Sequence, residues 1–307
     1  MAQRSYIPDL IHIDYRGRAN SIANILGNLG LVISIALFLV LNEFFGVEVA
    51  GETVITQQGY ILAMSIGGIG IIIISIIGFI SLKEKKGSEL PPKKGFFKEF
   101  KEIFNLEELK KNKEFFKIVI AYTIFNSGVF GTMTFLFNYI FDLGFETISL
   151  IIIIGIAAPI VFLIIYLLGR FSDKYGRKKF IPITVSCASV GFILIPFLEM
   201  TAEPIFSLYV FAFTLILVAI LGIIPVFDAF YQDYLPIGKK GKFIGLVNIV
   251  FTISQVIGTG VATIVSTFLG RPWIFPFMAI FFIASIPLFM KVKETISRKE
   301  LGENSGK

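Results

Sequence analysis

A single carboxylate, Asp173, stands among five cations in the run Gly169-Arg170-Phe171-Ser172-Asp173-Lys174-Tyr175-Gly176-Arg177-Lys178-Lys179. An acid so surrounded pairs with a cation or caps the N-terminus of a neighbouring helix, where unpaired N–H groups favour negative charge. Arg170 and Arg177 carry planar donor forks that match a carboxylate on an adjacent helix end. Gly169 and Gly176 let two helix ends approach and the chain reverse, because glycine pays no Cβ penalty at positive φ. The chemistry offered is charge pairing, a latch of ions that breaks and re-forms. The competing reading is a basic loop that marks the inner face of a membrane and does nothing more.

Other chemistry lacks its parts. Cys187 and His12 are the only residues of their kinds, so no disulfide, zinc or haem site can be assembled and no cofactor is expected. No span or loop gathers a nucleophile, a base and an orienting group, so catalysis is not expected. The net charge of +6 lies in short loops between apolar stretches, which points to the lipid bilayer and not to nucleic acid. Gly67-Gly68-Ile69-Gly70 sits inside an apolar run and reads as a place of close helix packing, not a phosphate loop.

A mean hydropathy of +0.81, with 34 phenylalanines and only 16% charged residues in 307, is that of an all-α polytopic membrane protein. Eight spans are predicted, at about 20–42, 60–82, 118–141, 148–168, 180–198, 205–227, 243–269 and 273–290, near the ~20 residues a crossing needs. Alternating them leaves every Lys and Arg except Arg271 on one side. Glu43, Glu48, Glu52, Asp142, Glu146 and Glu203 fall on or near the other. This asymmetry predicts an integral protein of the cell (plasma) membrane with both termini cytoplasmic. Residues 1–82 form a lead-in and two helices, 83–117 a basic linker, 118–292 a six-helix body and 293–307 a tail. In the linker, Phe96, Phe97, Phe100, Ile103 and Phe104 recur at helical spacing. That pattern suits an amphipathic helix lying on the inner membrane surface or docked against other helices.

Polar residues inside spans are candidates for contact with a small solute, since hydrocarbon tolerates them mainly where they face protein or water. Tyr122, Asn126, Thr134 and Asn138 are spaced by multiples of four. Asn248, Thr252, Gln255, Thr259, Thr263 and Ser266 step by three and four along one helix face. Asn126, Asn138 and Gln255 are taken as substrate-binding, against the alternative of hydrogen bonds between helices. Asp228 and Asp233 close the 205–227 span; both are readable as partners of Arg170 or Arg177, and Asp228 also as a proton relay.

Internal repetition orders the spans. Aligning Asp9 with Asp233 places Arg16-Gly17-Arg18 on Lys240-Gly241-Lys242 and Asn24-Ile25 on Asn248-Ile249, two copies of one unit. The glycine, acid and basic run of residues 169–179 resembles the loop motif of major facilitator superfamily transporters, and the stretch from Pro8 to Asn20 is similar to their sugar porters. The resemblance implies helices five to twelve of a twelve-helix fold, in which Gly169, Arg170, Asp173, Lys174, Gly176, Arg177, Lys178 and Asp233 form a conformational charge latch. It implies secondary active or facilitative transport of a small polar organic solute, a sugar first, by alternating access. A first copy of the loop motif is not found, so an incomplete or split chain is expected, one that works with an upstream-encoded four-helix segment or by self-association. A non-transporting relic or accessory subunit is the alternative. Efflux ranks lower, for the 20–42 span has no Gly-Pro pair.

Overall fold

The computed structural model describes residues 7–49, 52–81, 111–143, 147–199, 206–236 and 239–296. The long apolar runs are helices, as they must be in hydrocarbon, where each unpaired peptide group costs several kcal/mol. In chain order these are α1 (Arg16–Phe45), α2 (Gln57–Ser81), α3 (Lys113–Asp142), α4 (Thr147–Tyr175), α5 (Phe180–Glu199), α6 (Phe206–Asp233), α7 (Lys240–Leu269) and α8 (Ile274–Met290). Seven of them, α2 to α8, are long and apolar enough over the described residues to cross a membrane. α1 is a continuous helix of 30 residues, about 45 Å long at ~1.5 Å per residue. Short 3-10 turns at Ile13–Tyr15 and Arg271–Trp273 lead into α1 and α8. The architecture is that of an all-α polytopic membrane protein.

Two compact units divide the chain. One comprises Met1–Ile25 with Gly95–Lys307, the other Leu26–Lys94. The lead-in up to Ile25 thus clusters with the six-helix body, whereas the sequence grouping took residues 1–82 together. Hydrogen bonds from the first turns of α1, described below, account for the difference.

In the smaller unit, the acidic segment expected as a loop is partly helix and partly a hairpin. Strands β1 (Gly46–Val49) and β2 (Glu52–Ile55) pair antiparallel, Gly46 opposite Ile55 and Val49 opposite Glu52. At the open end of the hairpin, Thr56 N–H, just before α2, donates to the carbonyl of Phe45, the last residue of α1, at 2.9 Å. The expectation of close packing at Gly67, Gly68 and Gly70 is not met. No described atom of that unit lies within 4 Å of a Cβ built at any of the three, and the whole apolar stretch of α2 is open.

In the larger unit α3 packs on α7 and α8, α6 on α4 and α5, and α8 on α5. Its centre is a chain of rings. Phe289 stacks on Phe227 (centroids 4.4 Å), Phe227 meets Phe125 edge-on (4.9 Å), Phe125 meets Phe282 likewise (4.9 Å), and Phe282 stacks on Phe192 (5.1 Å). All five are fully buried. Lipid is as apolar as these rings, so contact attraction and exact fit hold the helices together more than water exclusion does. Close approach of α3 and α7 depends on Gly258, where a Cβ would collide with the Ser127 carbonyl.

Both ends of the body carry ion pairs. At one end Lys293 N–H donates to Glu114 Oε2 (2.9 Å) and Lys117 pairs with Glu114 (2.6 Å). At the other, Asp142, the last residue of α3, pairs with Arg271 between α7 and α8. The predicted amphipathic segment around Phe96 to Phe104 lies outside the described residues.

Candidate functional site

At the basic end, Asp173, Arg177, Asp233 and Arg16 form one network. α4 runs to Tyr175, so the predicted hairpin of residues 169–179 is mostly helix and the reversal falls at Gly176 alone, at φ 97°. Gly169 serves the expected close approach. A Cβ there would overlap Ser21 Oγ, and a Cβ at Gly17 would stand 2.5 Å from Asp173 Oδ1 and 2.6 Å from the Gly169 carbonyl oxygen. The first turn of α1 therefore crosses α4 with backbone nearly on backbone.

That crossing brings the α1 N-terminus to Asp173. Its Oδ1 accepts the N–H of Gly17 (2.8 Å) and its Oδ2 that of Arg18 (2.9 Å), donors that lack a partner in their own helix. Arg177, one helical turn on from Asp173, reaches it through Nη1 at 3.2 Å. The same guanidinium donates from Nε to Asp233 Oδ2 (2.6 Å) and from Nη2 to the Ile13 carbonyl (2.9 Å). Its side chain is 0% exposed. A buried arginine is tolerated only when its donors are met and its charge balanced. The balance comes from Arg16 as the second cation and Asp233 as the second anion: Arg16 Nη1 lies 3.1 Å from Asp233 Oδ1. The two carboxylates thus face the guanidinium groups of Arg16 and Arg177, with Arg18 Nε a third, looser partner 3.9 Å from Asp173 Oδ2.

The residues after α8 brace the network. Thr295 Oγ1 donates to Asp233 Oδ2 (2.8 Å), and Glu294 accepts the N–H of Arg177 (3.1 Å) and of Lys178 (2.9 Å). Lys178 Nζ returns to the Val292 carbonyl (2.9 Å). Tyr234 donates its hydroxyl to the Lys293 carbonyl (2.8 Å). Burial, with the charges of Glu114, Glu294 and Asp233 nearby, pushes that phenol up to about 12, so it remains a donor. Beside these ions, Asn20 and Gln232 bond to each other through their amides.

Of the residues singled out from sequence, Asp173, Gly176, Arg177, Lys178 and Asp233 meet here, with Gly169 at the crossing. Arg170 and Lys174 point away: both are exposed, and Lys174 lies over the Tyr175 ring at 5.2 Å. Asp233 takes Arg177 and not Arg170. Asp228 is buried in α6, five residues before Asp233. Sequence reasoning noticed Arg16 only as half of a repeat and missed Asn20, Gln232, Glu294 and Thr295. Their types are ordinary, and only the fold brings them together.

The solute candidates are scattered. Asn126 is 2% exposed and donates to the Tyr122 carbonyl of its own helix at 3.0 Å, an intrahelical bond in place of an open contact. The side chain of Asn138 lies outside the description. Gln255 is exposed near the midpoint of α7, a turn from Thr252 and from Thr259. Thr259 meets Thr134 of α3 at 3.3 Å, which joins the two predicted polar stripes at one point. Thr134, Thr252 and Thr263 return their hydroxyls to carbonyls one turn back, the habit of hydroxyls in membrane helices.

No curated protein matches the sequence. The family profile of the Major Facilitator Superfamily matches residues 2–236 and again residues 167–306, and both matches take in the run from Gly169 to Lys179. Together they cover almost the whole sequence, and they agree with a bundle of membrane-length helices whose basic end is interlocked through that run: the chain belongs to the Major Facilitator Superfamily of membrane transport proteins.

Proposed function

We propose that this chain moves a small polar organic solute, with sugars the first class to test, across the plasma membrane by alternating access. The network of Asp173, Arg177, Asp233 and Arg16 is its lock on the cytoplasmic side. The observation that carries the reading is the cap of Asp173 on the α1 N-terminus. A helix end held by a carboxylate of another helix can part from it once water enters, because water then takes over both the N–H groups and the charge.

In this reading Gln255, with Thr252 and Thr259, offers hydroxyl and amide groups at the depth where a sugar would pass. Proton coupling has one group to test, the buried Asp228. Purified protein in proteoliposomes is offered radiolabelled glucose, galactose and xylose, with and without an imposed proton gradient. Saturable uptake of at least one supports the reading, and a gradient effect lost in Asp228→Asn supports symport. Uptake of none at the level of empty vesicles overturns the sugar assignment. Sidedness is read by thiol labelling in cells of Asp142→Cys and Lys179→Cys, each in a Cys187→Ser background. An impermeant reagent should reach the first from outside and not the second.

A further inference from the structure

Asn20 lies in the second turn of α1 and Gln232 in the last turn of α6. Asn20 Nδ2 donates to Gln232 Oε1 at 2.9 Å, and Gln232 Nε2 donates back to Asn20 Oδ1 at 3.2 Å. The other amide hydrogen of Asn20 goes to the Arg16 carbonyl (2.8 Å). Only 3% and 2% of these residues is exposed. A reciprocal pair of bonds forms in a single register of one helix against the other, so it reports position more strictly than a charge pair does.

The pair adjoins the Arg16–Asp233 contact, with Asn20 one turn on from Arg16 and Gln232 next to Asp233, and differs from it in one physical respect. Salt screens ions at a membrane surface, but it leaves an amide pair untouched. When the two helices part, each amide exchanges its partner for water at little net cost. Closed and wet states are then close in free energy, the condition a contact must meet to open and shut in every cycle. The stretch of α1 that carries Asn20 is also the part that clusters with the six-helix body, before the helix passes into the smaller unit at Leu26.

Resting on the transport reading, we propose that Asn20 and Gln232 are an uncharged gate in series with the ion network, and that they separate once per transport cycle. The test uses the full chain in a Cys187→Ser background with Asn20→Cys and Gln232→Cys combined, reconstituted and offered the same labelled sugars. A short bifunctional methanethiosulfonate bridges the two thiols, with bridging verified by mass. Bridging should reduce uptake at least tenfold relative to the same double variant untreated and reduction should restore it, while the reagent should change the uptake of each single cysteine variant by less than twofold from that variant's own untreated level. A bridged protein that transports as well as the unbridged one shows that the residues never separate, and overturns the gate. Gln232→Cys alone gives a second measure: its rate of modification should change at a saturating concentration of the transported sugar, and a constant rate also overturns the gate. Parent protein without uptake of any of these sugars overturns the sugar assignment and, with it, the gate as a step of sugar transport, whereas parent uptake with indifferent bridging overturns the gate alone.

Discussion

Arg16 pairs with Asp233 at 3.1 Å, and Lys240 pairs with Asp9 at 2.7 Å. In the repeat alignment Asp9 corresponds to Asp233 and Arg16 to Lys240, so the acid of each copy holds the base of the other. The exchange is symmetric in sequence and unequal in setting. The side chains of Arg16 and Asp233 are 14% and 0% exposed, those of Lys240 and Asp9 24% and 35%. Arg16 adds bonds to the carbonyls of Pro8, Ile11 and Gln232, while Lys240 adds one, to Pro8.

Burial therefore decides what each half of the exchange contributes. Asp233→Ala strands the guanidinium of Arg177 as well as that of Arg16, and loss of one partner from a buried pair costs about 3–5 kcal/mol. Asp9→Ala breaks a half-exposed pair worth roughly 0–1 kcal/mol. Thermal unfolding in detergent should show a large fall in midpoint for the first variant and almost none for the second. Equal falls would mean that the network is not the enclosed one described.

The crossing of α1 and α4 makes a separate prediction, again framed by the repeat. Gly17 and Gly241 are equivalent in sequence, yet a Cβ at Gly17 meets Asp173 and Gly169, while at Gly241 nothing lies within 4 Å. Gly17→Ala and Gly169→Ala should lower the unfolding midpoint and weaken the cap on α1. Gly241→Ala should leave it unchanged or raise it, since alanine is favoured over glycine in a helix by up to about 1 kcal/mol.

The helical class, and seven of the eight expected spans among the described residues, were legible because each is written in local sequence as a run of apolar residues; the ion-paired end was legible in two glycines around one acid. Three members of the ion network, Asp173, Arg177 and Asp233, were legible for the same reason, whereas Arg170 and Lys174 fall outside it. What stayed hidden depends on distance along the chain. Nothing near Glu294 says that it will cap Arg177 and Lys178, and nothing near Asn20 says that Gln232 is opposite. Gly169 and Gly176 together predict an approach of helix ends and a reversal, because glycine serves turns and crossings alike; only the course of α4 past Leu168 assigns the crossing to Gly169 and the turn to Gly176. For Gly67, Gly68 and Gly70 the pattern of close packing is present in the sequence without a neighbour in the fold of that unit.

Asp173→Asn isolates charge from shape. The amide keeps one oxygen for an N–H of α1, but it loses the second acceptor and the attraction to Arg177. Expected is a loss of about 1–3 kcal/mol in stability and faster labelling of a Ser21→Cys thiol, which lies in the seam between α1 and α4. Asp173→Glu should not rescue either, because the carboxylate is held between backbone groups that leave no room for a longer arm. Unchanged labelling in Asp173→Asn would reduce the motif to a solvated loop.

The last prediction separates solute contact from packing. Asn126 is enclosed and bonded within its own helix, whereas Gln255 is exposed at mid-helix with Thr252 and Thr259 a turn to either side. An exposed amide in a membrane helix faces water or another molecule, since hydrocarbon would leave its donors unmet. On the proposed transport reading, Gln255→Ala should raise the KM for the transported solute several-fold while leaving the unfolding midpoint in place, as expected when a ground-state contact is removed. Asn126→Ala should do the reverse, lowering the midpoint by the removal of a buried amide and its packing and leaving KM nearly unchanged. If Asn126→Ala instead moved KM alone, α3 must rotate its buried face toward the solute during the cycle, and the proposal that the solute passes along the exposed stripe of α7 would fall.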